Sequence, residues 1–455
     1  MGKKARLNNE KKRGLSGQVA PQQAETEVES ALAKPVAFIL IISALLLGVT
    51  LRIYNVSDTA KRSPDEKVYT LQAAKISQNG WKGLRSLVDS YDSNRIEWKF
   101  PPPTRVGYLI PLAMTMKIMG RTDSNVGAYL SCFFSVVTLG LLILCGLRFF
   151  NQWIAIYALL FLSVSPVDLA IARRTWQEAL LGCAGFFLLY VCCEIIRGGR
   201  RRIWCVLFVL AGSYCMLIKE PGATFYALCT AWIFLVFFIK EKSFAKAFLF
   251  ICLSALGVGI SLALLSCAAG GTSNYIRVLA HIKEAMPENS YATTYQSGPW
   301  YHFFGAFWRV SPWNAVLFLF GIAGMFLSGT LPGKAKMVSD NSRSSVFGII
   351  FFMIGLMIII VTVPYQQNLR YVSVLYGPFY LIGGLGLWLV SRLLRIKLYK
   401  PIFSVLLVCI VVAVIAGAIT DYMEFVKVYK MGKSQDLTIW HIRSYARQLG
   451  FLNRP

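Results

Sequence analysis

The chain has 455 residues, 56% of them hydrophobic and 14% aromatic, with a mean hydropathy of +0.55. A soluble domain of this size cannot hide so much apolar surface, so an ordinary globular enzyme is excluded. The net charge of +25 does not indicate nucleic acid: Lys and Arg lie mainly in short loops between apolar runs of about 17–25 residues, and no RNP-like or helix-turn-helix signal accompanies them. The eleven Cys all fall inside apolar runs, Cys192-Cys193 among them, so neither a disulfide framework nor a metal cluster is indicated.

Residues 1–34 are polar and basic, with Lys3, Lys4, Arg6, Lys11, Lys12 and Arg13. They read as a disordered cytoplasmic tail. The run 36–53 lacks a small-residue cleavage pattern and reads as a retained first helix. Further candidate spans are 104–120, 124–147, 152–166, 177–196, 203–218, 223–239, 247–268, 312–330, 345–363, 370–390 and 401–420. Four basic loops follow, around Arg197–Arg202, Lys240–Lys246, Lys334–Arg343 and Arg392–Lys400. Each pair is separated by two spans, so all four share the cytoplasmic side. Counting from them, 104–120 begins and ends on the outer side, and it reads as re-entrant. This gives an all-α polytopic membrane protein of about eleven transmembrane helices. Outer loops lie at 54–123, 167–176 and 269–311, and the short tail 421–455 is also outside. No internal repeat is present, which weighs against a transporter built from inverted halves.

The first outer loop carries Ser63-Pro64-Asp65-Glu66-Lys67-Val68-Tyr69. Pro64 suits a helix start, with Asp65 and Glu66 in the first turn. There they either take a proton from an acceptor hydroxyl or simply cap the helix. Lys99 and Arg105 flank Pro101-Pro102-Pro103 at headgroup level, where they bind a lipid phosphate or snorkel. The loop 167–176 ends in Arg173-Arg174, with Glu178 two residues beyond it, at the mouth of an apolar helix. Adjacent outer arginines run against the positive-inside trend, which indicates a use such as phosphate recognition; an interfacial Arg–Glu pair is the alternative. Lys219-Glu220-Pro221-Gly222 reads as a salt-bridged turn. In 269–311, Trp300, Tyr301 and His302 suit sugar stacking or an interfacial aromatic belt. His281 and His302 are too far apart in sequence to argue a metal site. Arg370 and Tyr371 precede a late span and point to the same face.

These residues resemble those of the GT-C type membrane glycosyltransferases, on the family 39-like branch that includes protein O-mannosyltransferases and the lipid A aminoarabinose transferase. Pro64-Asp65-Glu66-x-x-Tyr69 is similar to the aminoarabinose transferase pattern. Arg173 with Glu178 resembles an Arg-x-x-x-x-Asp motif opening a helix. Asn368-Leu369-Arg370-Tyr371 resembles the late Arg-Tyr. The resemblance covers 35–420 in layout. It implies a GT-C bundle with a catalytic first outer loop, and a polyprenyl-phosphate sugar as donor, transferred with inversion to a lipid, glycan or protein acceptor. Asp65 would be the base. Arg173, Arg174, Lys99 and Arg370 would hold the phosphate, and Glu66 and Glu178 would orient these cations or the sugar. Trp300, Tyr301 and His302 would line the sugar or acceptor cavity. The resemblance leaves room for a divalent cation shared by Asp65 and Glu178. The competing classes are a lipid-linked-sugar flippase and a non-catalytic subunit of a cell-envelope glycan assembly complex. The flippase calls for polar residues midway through several spans, whereas the span centres here are almost purely apolar. The Cys usage favours a bacterial inner membrane, although Asn55-Val56-Ser57 forms a sequon.

Overall fold

The structure, a computed structural model, describes residues 34–57, 62–198, 201–296, 298–327, 340–363, 367–397 and 399–428. The tail 1–33 and residues 429–455 lie outside the described residues. Among these residues the secondary structure is entirely helical. In chain order the helices are α1 (Lys34–Ile53), α2 (Pro64–Ser93), α3 (Val106–Met119), α4 (Ser124–Phe149), α5 (Gln152–Val164), α6 (Pro166–Ala172), α7 (Glu178–Arg197), α8 (Arg201–Ile218) and α9 (Pro221–Leu235). They continue with α10 (Phe244–Ala269), α11 (Thr272–Ala285), α12 (Ser290–Tyr295), α13 (His302–Val310), α14 (Pro312–Leu327), α15 (Asp340–Thr362), α16 (Tyr376–Lys397) and α17 (Lys400–Val428).

Among the described residues, nine helices are long and apolar enough to cross a membrane, or eleven if two bent pairs each count as one span. The bent pairs are α5/α6, turning by 62°, and α13/α14, turning by 117°. Both breaks fall at Ser-Pro, at Ser165-Pro166 and Ser311-Pro312. Proline has no N–H to continue the helix, so carbonyls one turn earlier lose their partners. The α7 window and the 369–395 window are each 89% buried and form the centre of the bundle, whereas the α17 window is only 11% buried and lies at the edge.

A buried arginine repairs the α5/α6 break. Arg52, at the end of α1, is fully buried. It donates to the carbonyls of Leu162 at 3.1 Å and Ser163 at 3.3 Å, and to Ser135 Oγ at 2.6 Å. It also pairs with Asp168 on α6. A buried guanidinium is tolerated only where its donors and its charge find partners, and these acceptors supply both.

The segment expected to be re-entrant forms α3, with 14 residues. At 1.5 Å per residue it reaches about 21 Å, short of the roughly 30 Å hydrocarbon core. It packs closely on α8: a Cβ on Gly107 would come within 2.6 Å of the Leu217 backbone. The sequence boundary at 420 is corrected, since α17 runs on to Val428. Its buried positions Ala418, Asp421 and Phe425 recur at helical spacing and keep the chain helical beyond the apolar run.

Candidate active site

Helix α2 begins at a capping box. The Ser63 N–H donates to Glu66 Oε2 at 2.8 Å, three residues into the helix. Pro64 occupies the first turn and fixes the entry angle. Asp65 and Tyr69, four residues apart, then share one face of α2. Asn79-Gly80 kinks the helix, with Gly80 at φ 56°, a conformation that favours glycine.

That face opens onto a cavity of about 380 Å³. Asp65 and Tyr69 line it from α2, Lys99 and Arg105 from either side of the prolines, and Glu178 from the start of α7. Lys219 and Glu220 enter from the α8–α9 turn, and Arg370 and Tyr371 from the turn before α16. The remaining wall is apolar, with Leu356, Ile359, Ile360 and Val363 from the end of α15 and Ile282 and Met286 opposite. One end of the cavity is therefore charged and the other greasy.

The charges are threaded together. Arg370 Nη2 donates to Asp65 Oδ2 at 2.8 Å, and its Nε lies 3.8 Å from Glu178 Oε1. Lys219 Nζ donates to Glu178 Oε1 at 2.8 Å and sits 3.8 Å from the centre of the Tyr371 ring. Arg105 grips Glu220 through two bonds of 3.1 and 2.8 Å and donates to the Tyr69 hydroxyl at 2.8 Å. Burial acts to raise the Glu220 carboxyl, but this bidentate contact outweighs it and holds the group below the usual range. Burial opposes the Arg105 charge as well, yet Glu220 and Tyr69 drive its affinity for the proton further up. With its amide oxygen turned to Arg105 Nη1 at 2.9 Å and Lys219 Nζ at 3.3 Å, Gln177 joins the two clusters. Lys99 reaches Glu288 at 3.6 Å on the exposed rim.

Four of the anticipated cationic and acidic contacts thus converge with Asp65: Lys99, Arg105, Glu178 and Arg370, with Tyr371 beside them. Others do not. Glu66 is fully buried behind the cavity wall. It accepts from Arg174 at 2.6 and 3.0 Å, from Arg62 at 3.0 Å and from the Thr175 N–H at 2.9 Å. Burial alone would raise its carboxyl, but Arg174, Arg62 and the backbone N–H groups together hold it below the ordinary value. Glu66 is a positioning residue that pins the start of α2 to the loop before α7.

The expectation that Arg173 and Arg174 face a phosphate is corrected. Arg174 is spent on Glu66, its guanidinium 4.8 Å from the Trp176 ring centre. Arg173, 2% exposed, donates to the carbonyls of Leu51, Tyr54 and Asn55. Leu51 lies in the last turn of α1 and Tyr54 directly follows it, where helix carbonyls lack intrahelical partners. Both arginines thus have a structural use, Arg174 on α2 and Arg173 on the end of α1. Trp300, Tyr301 and His302 are likewise not in the cavity wall. Trp300 and Tyr301 are 73% and 55% exposed, and His302, the first residue of α13, is buried. The exposed row Trp300, Tyr301, Phe304, Trp308 and Trp313 has the make-up of an interfacial aromatic belt. The double variant Trp300→Ala/Tyr301→Ala is expected to leave turnover unchanged in a sugar-transfer assay, whereas a substrate-stacking role would lower it.

Lys219 and Glu220 were read in the sequence as a salt-bridged turn and not as site residues. Their partners, Glu178 and Arg105, lie 41 and 115 positions away, and no local signal shows that. Asp65 and Glu178, the carboxylates a divalent ion would need, share the Arg370 guanidinium between them. A metal there would meet a like charge, so the arrangement does not fit one. Among the described residues no group of three His, Cys, Asp or Glu could hold a metal ion.

Residues 103–266 match the profile of the family described as dolichyl-phosphate-mannose-protein mannosyltransferase. No curated protein sequence matches the chain. Among solved structures, the oligosaccharyltransferase of Archaeoglobus fulgidus in the apo form aligns over 88% of this chain at TM-score 0.54 and 13% identity. The same organism's AglB, in complex with an inhibitory peptide and a dolichol-phosphate, aligns over 86% at TM-score 0.54 and 12% identity. The chain spans 56% of the length of these archaeal proteins. ArnT from Cupriavidus metallidurans bound to undecaprenyl phosphate aligns over 92% of this chain and 76% of its own, at TM-score 0.50 and 13% identity. The chain is thus similar to that family over residues 103–266, and it shares its fold with these solved membrane proteins.

Proposed function

We propose that the protein moves a sugar from a polyprenyl-phosphate donor to an acceptor on the non-cytoplasmic face of the membrane, with inversion at the anomeric carbon. The observation that carries this reading is the cavity itself. Asp65 and four cations, Lys99, Arg105, Lys219 and Arg370, share it with an apolar wall on α15. A lipid phosphate needs that pairing: the charged head among cations, the tail along apolar surface. Glu178 opens α7 and Lys219 directly follows α8 at the cavity, while Arg197 and Arg201 lie at the other ends of these helices. Basic residues opposite the cavity favour an outward-facing site.

In this mechanism the acceptor hydroxyl gives its proton to Asp65 as its oxygen bonds to the anomeric carbon. The bond from that carbon to the phosphate oxygen breaks, and the electron pair leaves on the phosphate. Inversion follows from a single displacement. Lys219, Arg370, Arg105 and Lys99 stabilise the phosphate charge as it grows, and the dry apolar wall strengthens each contact. The acceptor is a lipid, glycan or protein, and the membrane is a bacterial inner membrane.

The test uses the full chain in nanodiscs. Undecaprenyl phosphate binding is measured by native mass spectrometry, and transfer is followed with a panel of radiolabelled polyprenyl-phosphate hexoses and pentoses. Lys99→Met, on the exposed rim, and Arg370→Met are each expected to weaken binding about 10- to 100-fold, the worth of one charge-assisted contact. Binding unchanged in both variants, or no binding and no transfer by the wild type, would sink the reading.

A further inference from the structure

Gln177 is 1% exposed and sits directly before α7, next to Glu178. It is the N-cap of that helix, a position that favours Ser, Thr, Asn and Asp because their short side chains reach the free N–H groups. A glutamine side chain is a poor cap, and here it makes no capping bond to α7. Its amide is turned away from its own helix and towards three other elements.

Two of its neighbours there, Arg105 and Lys219, can only donate, so the atom facing them is the amide oxygen. That oxygen accepts from Arg105 Nη1 at 2.9 Å and from Lys219 Nζ at 3.3 Å, and the amide nitrogen donates to the Tyr69 hydroxyl at 2.9 Å. Tyr69 belongs to α2, Arg105 precedes α3 and Lys219 follows α8. Two like charges thus share one neutral acceptor, and the distance between them cannot exceed the sum of its two bonds. Each also has a carboxylate of its own, Glu220 for Arg105 and Glu178 for Lys219. Tyr69, Arg105 and Lys219 all line the cavity, whereas Gln177 lies behind its wall.

We propose that Gln177 is the positioning residue that sets the spacing of Arg105 and Lys219 for the lipid phosphate, an inference that rests on the lipid-phosphate reading above. Cations held this close can share one phosphate through hydrogen bonds of about 2.7–2.9 Å. Without a common acceptor they would repel each other across a site of low dielectric and move apart. The choice of an amide follows from charge. Arg105 and Lys219 already have one carboxylate each, and a third would cancel charge that the phosphate needs. A neutral oxygen fixes the two cations and leaves that charge available. Gln177 acts through these cations and touches no substrate itself.

The experiment compares two lipids that differ only in the head group, undecaprenyl phosphate and undecaprenol. Both are bound to the full chain in nanodiscs and measured by native mass spectrometry. The ratio of their dissociation constants isolates what the phosphate contributes. Gln177→Met keeps the side-chain length and removes the shared acceptor. The ratio should fall about tenfold, the worth of one contact to a charged group, with undecaprenol binding unchanged. Gln177→Glu keeps the shape and adds a charge between the cations. Its thermal unfolding midpoint should hold or rise, because the new carboxylate pairs with both, while the ratio falls at least as far. A residue needed only for packing would lower the midpoint and weaken both lipids together, and that result overturns the assignment. A wild-type ratio retained in the variants overturns it too. If Gln177→Met does not fold, Gln177→Glu carries the test alone. A wild type with no preference for undecaprenyl phosphate over undecaprenol refutes the lipid-phosphate reading itself, and this inference with it.

Discussion

Asp65→Asn is expected to lower sugar transfer by about 10²- to 10⁴-fold, the usual contribution of a positioned general base, while undecaprenyl phosphate still binds. Asparagine is nearly isosteric, and its amide oxygen can still accept from Arg370, 2.8 Å from the present carboxylate. The substitution therefore removes proton acceptance and little else. Position argues for the assignment. Asp65 is the one carboxylate that α2 brings to the cavity; its neighbour Glu66 points the other way into the protein. Glu178 and Glu220 also line the cavity, but Glu178 is 2% exposed against Lys219 and Glu220 takes two bonds from Arg105, whereas Asp65 takes a single bond from Arg370. Transfer rates should be compared at saturating donor, so that a change in binding does not pass for a change in chemistry. Equal rates in wild type and variant would remove Asp65 as base without touching the lipid-phosphate reading.

The second large effect concerns stability. Glu66→Ala leaves Arg174 buried beside an empty space, and the loss expected for breaking a buried ion pair is about 3–5 kcal/mol. Both side chains are fully buried, so solvent cannot take the carboxylate's place. The backbone N–H groups of Ser63 and Thr175 lose their acceptor in the same change. A second measurement separates charge from packing. The folded-state Glu66 carboxyl titrates below its ordinary value of 4.5. Its contribution is therefore complete above that value and is lost as pH falls through the lower, folded value. The wild-type unfolding midpoint should drop on acidification below about pH 4.5, and Glu66→Gln should flatten that limb. An acid limb of the same steepness in Glu66→Gln would assign it to other carboxylates, with Asp92, held low by Arg277 and His281, the next to test.

Much of the architecture was legible in the chain. Apolar runs of membrane-crossing length, together with the parity of the basic loops, led to about eleven spans, and eleven is reached when α5/α6 and α13/α14 each count once. Periodicity and length carry that information because a helix satisfies its own backbone inside a bilayer. Ser63-Pro64 at the head of α2 announced a helix start for the same local reason. The side of the chain on which each charge ends up was a different matter. Asp65 and Glu66 are adjacent and chemically alike, yet one faces a cavity and the other is sealed against Arg174. Successive helix positions are about 100° apart, and only the packing of α2 decides which of the two faces inward. Arg173 and Arg174 looked like phosphate ligands because outer arginines are unusual, and tertiary contacts turned both to holding α1 and α2 in place. Lys219 and Glu220 looked like a local turn, and long-range pairing with Glu178 and Arg105 made them part of the cavity wall. The sequence by itself determined which segments span and where charge can collect, since both depend on local composition against a fixed membrane thickness. Only the tertiary structure decided which charges meet, because an ion pair depends on distances between helices that no local pattern encodes.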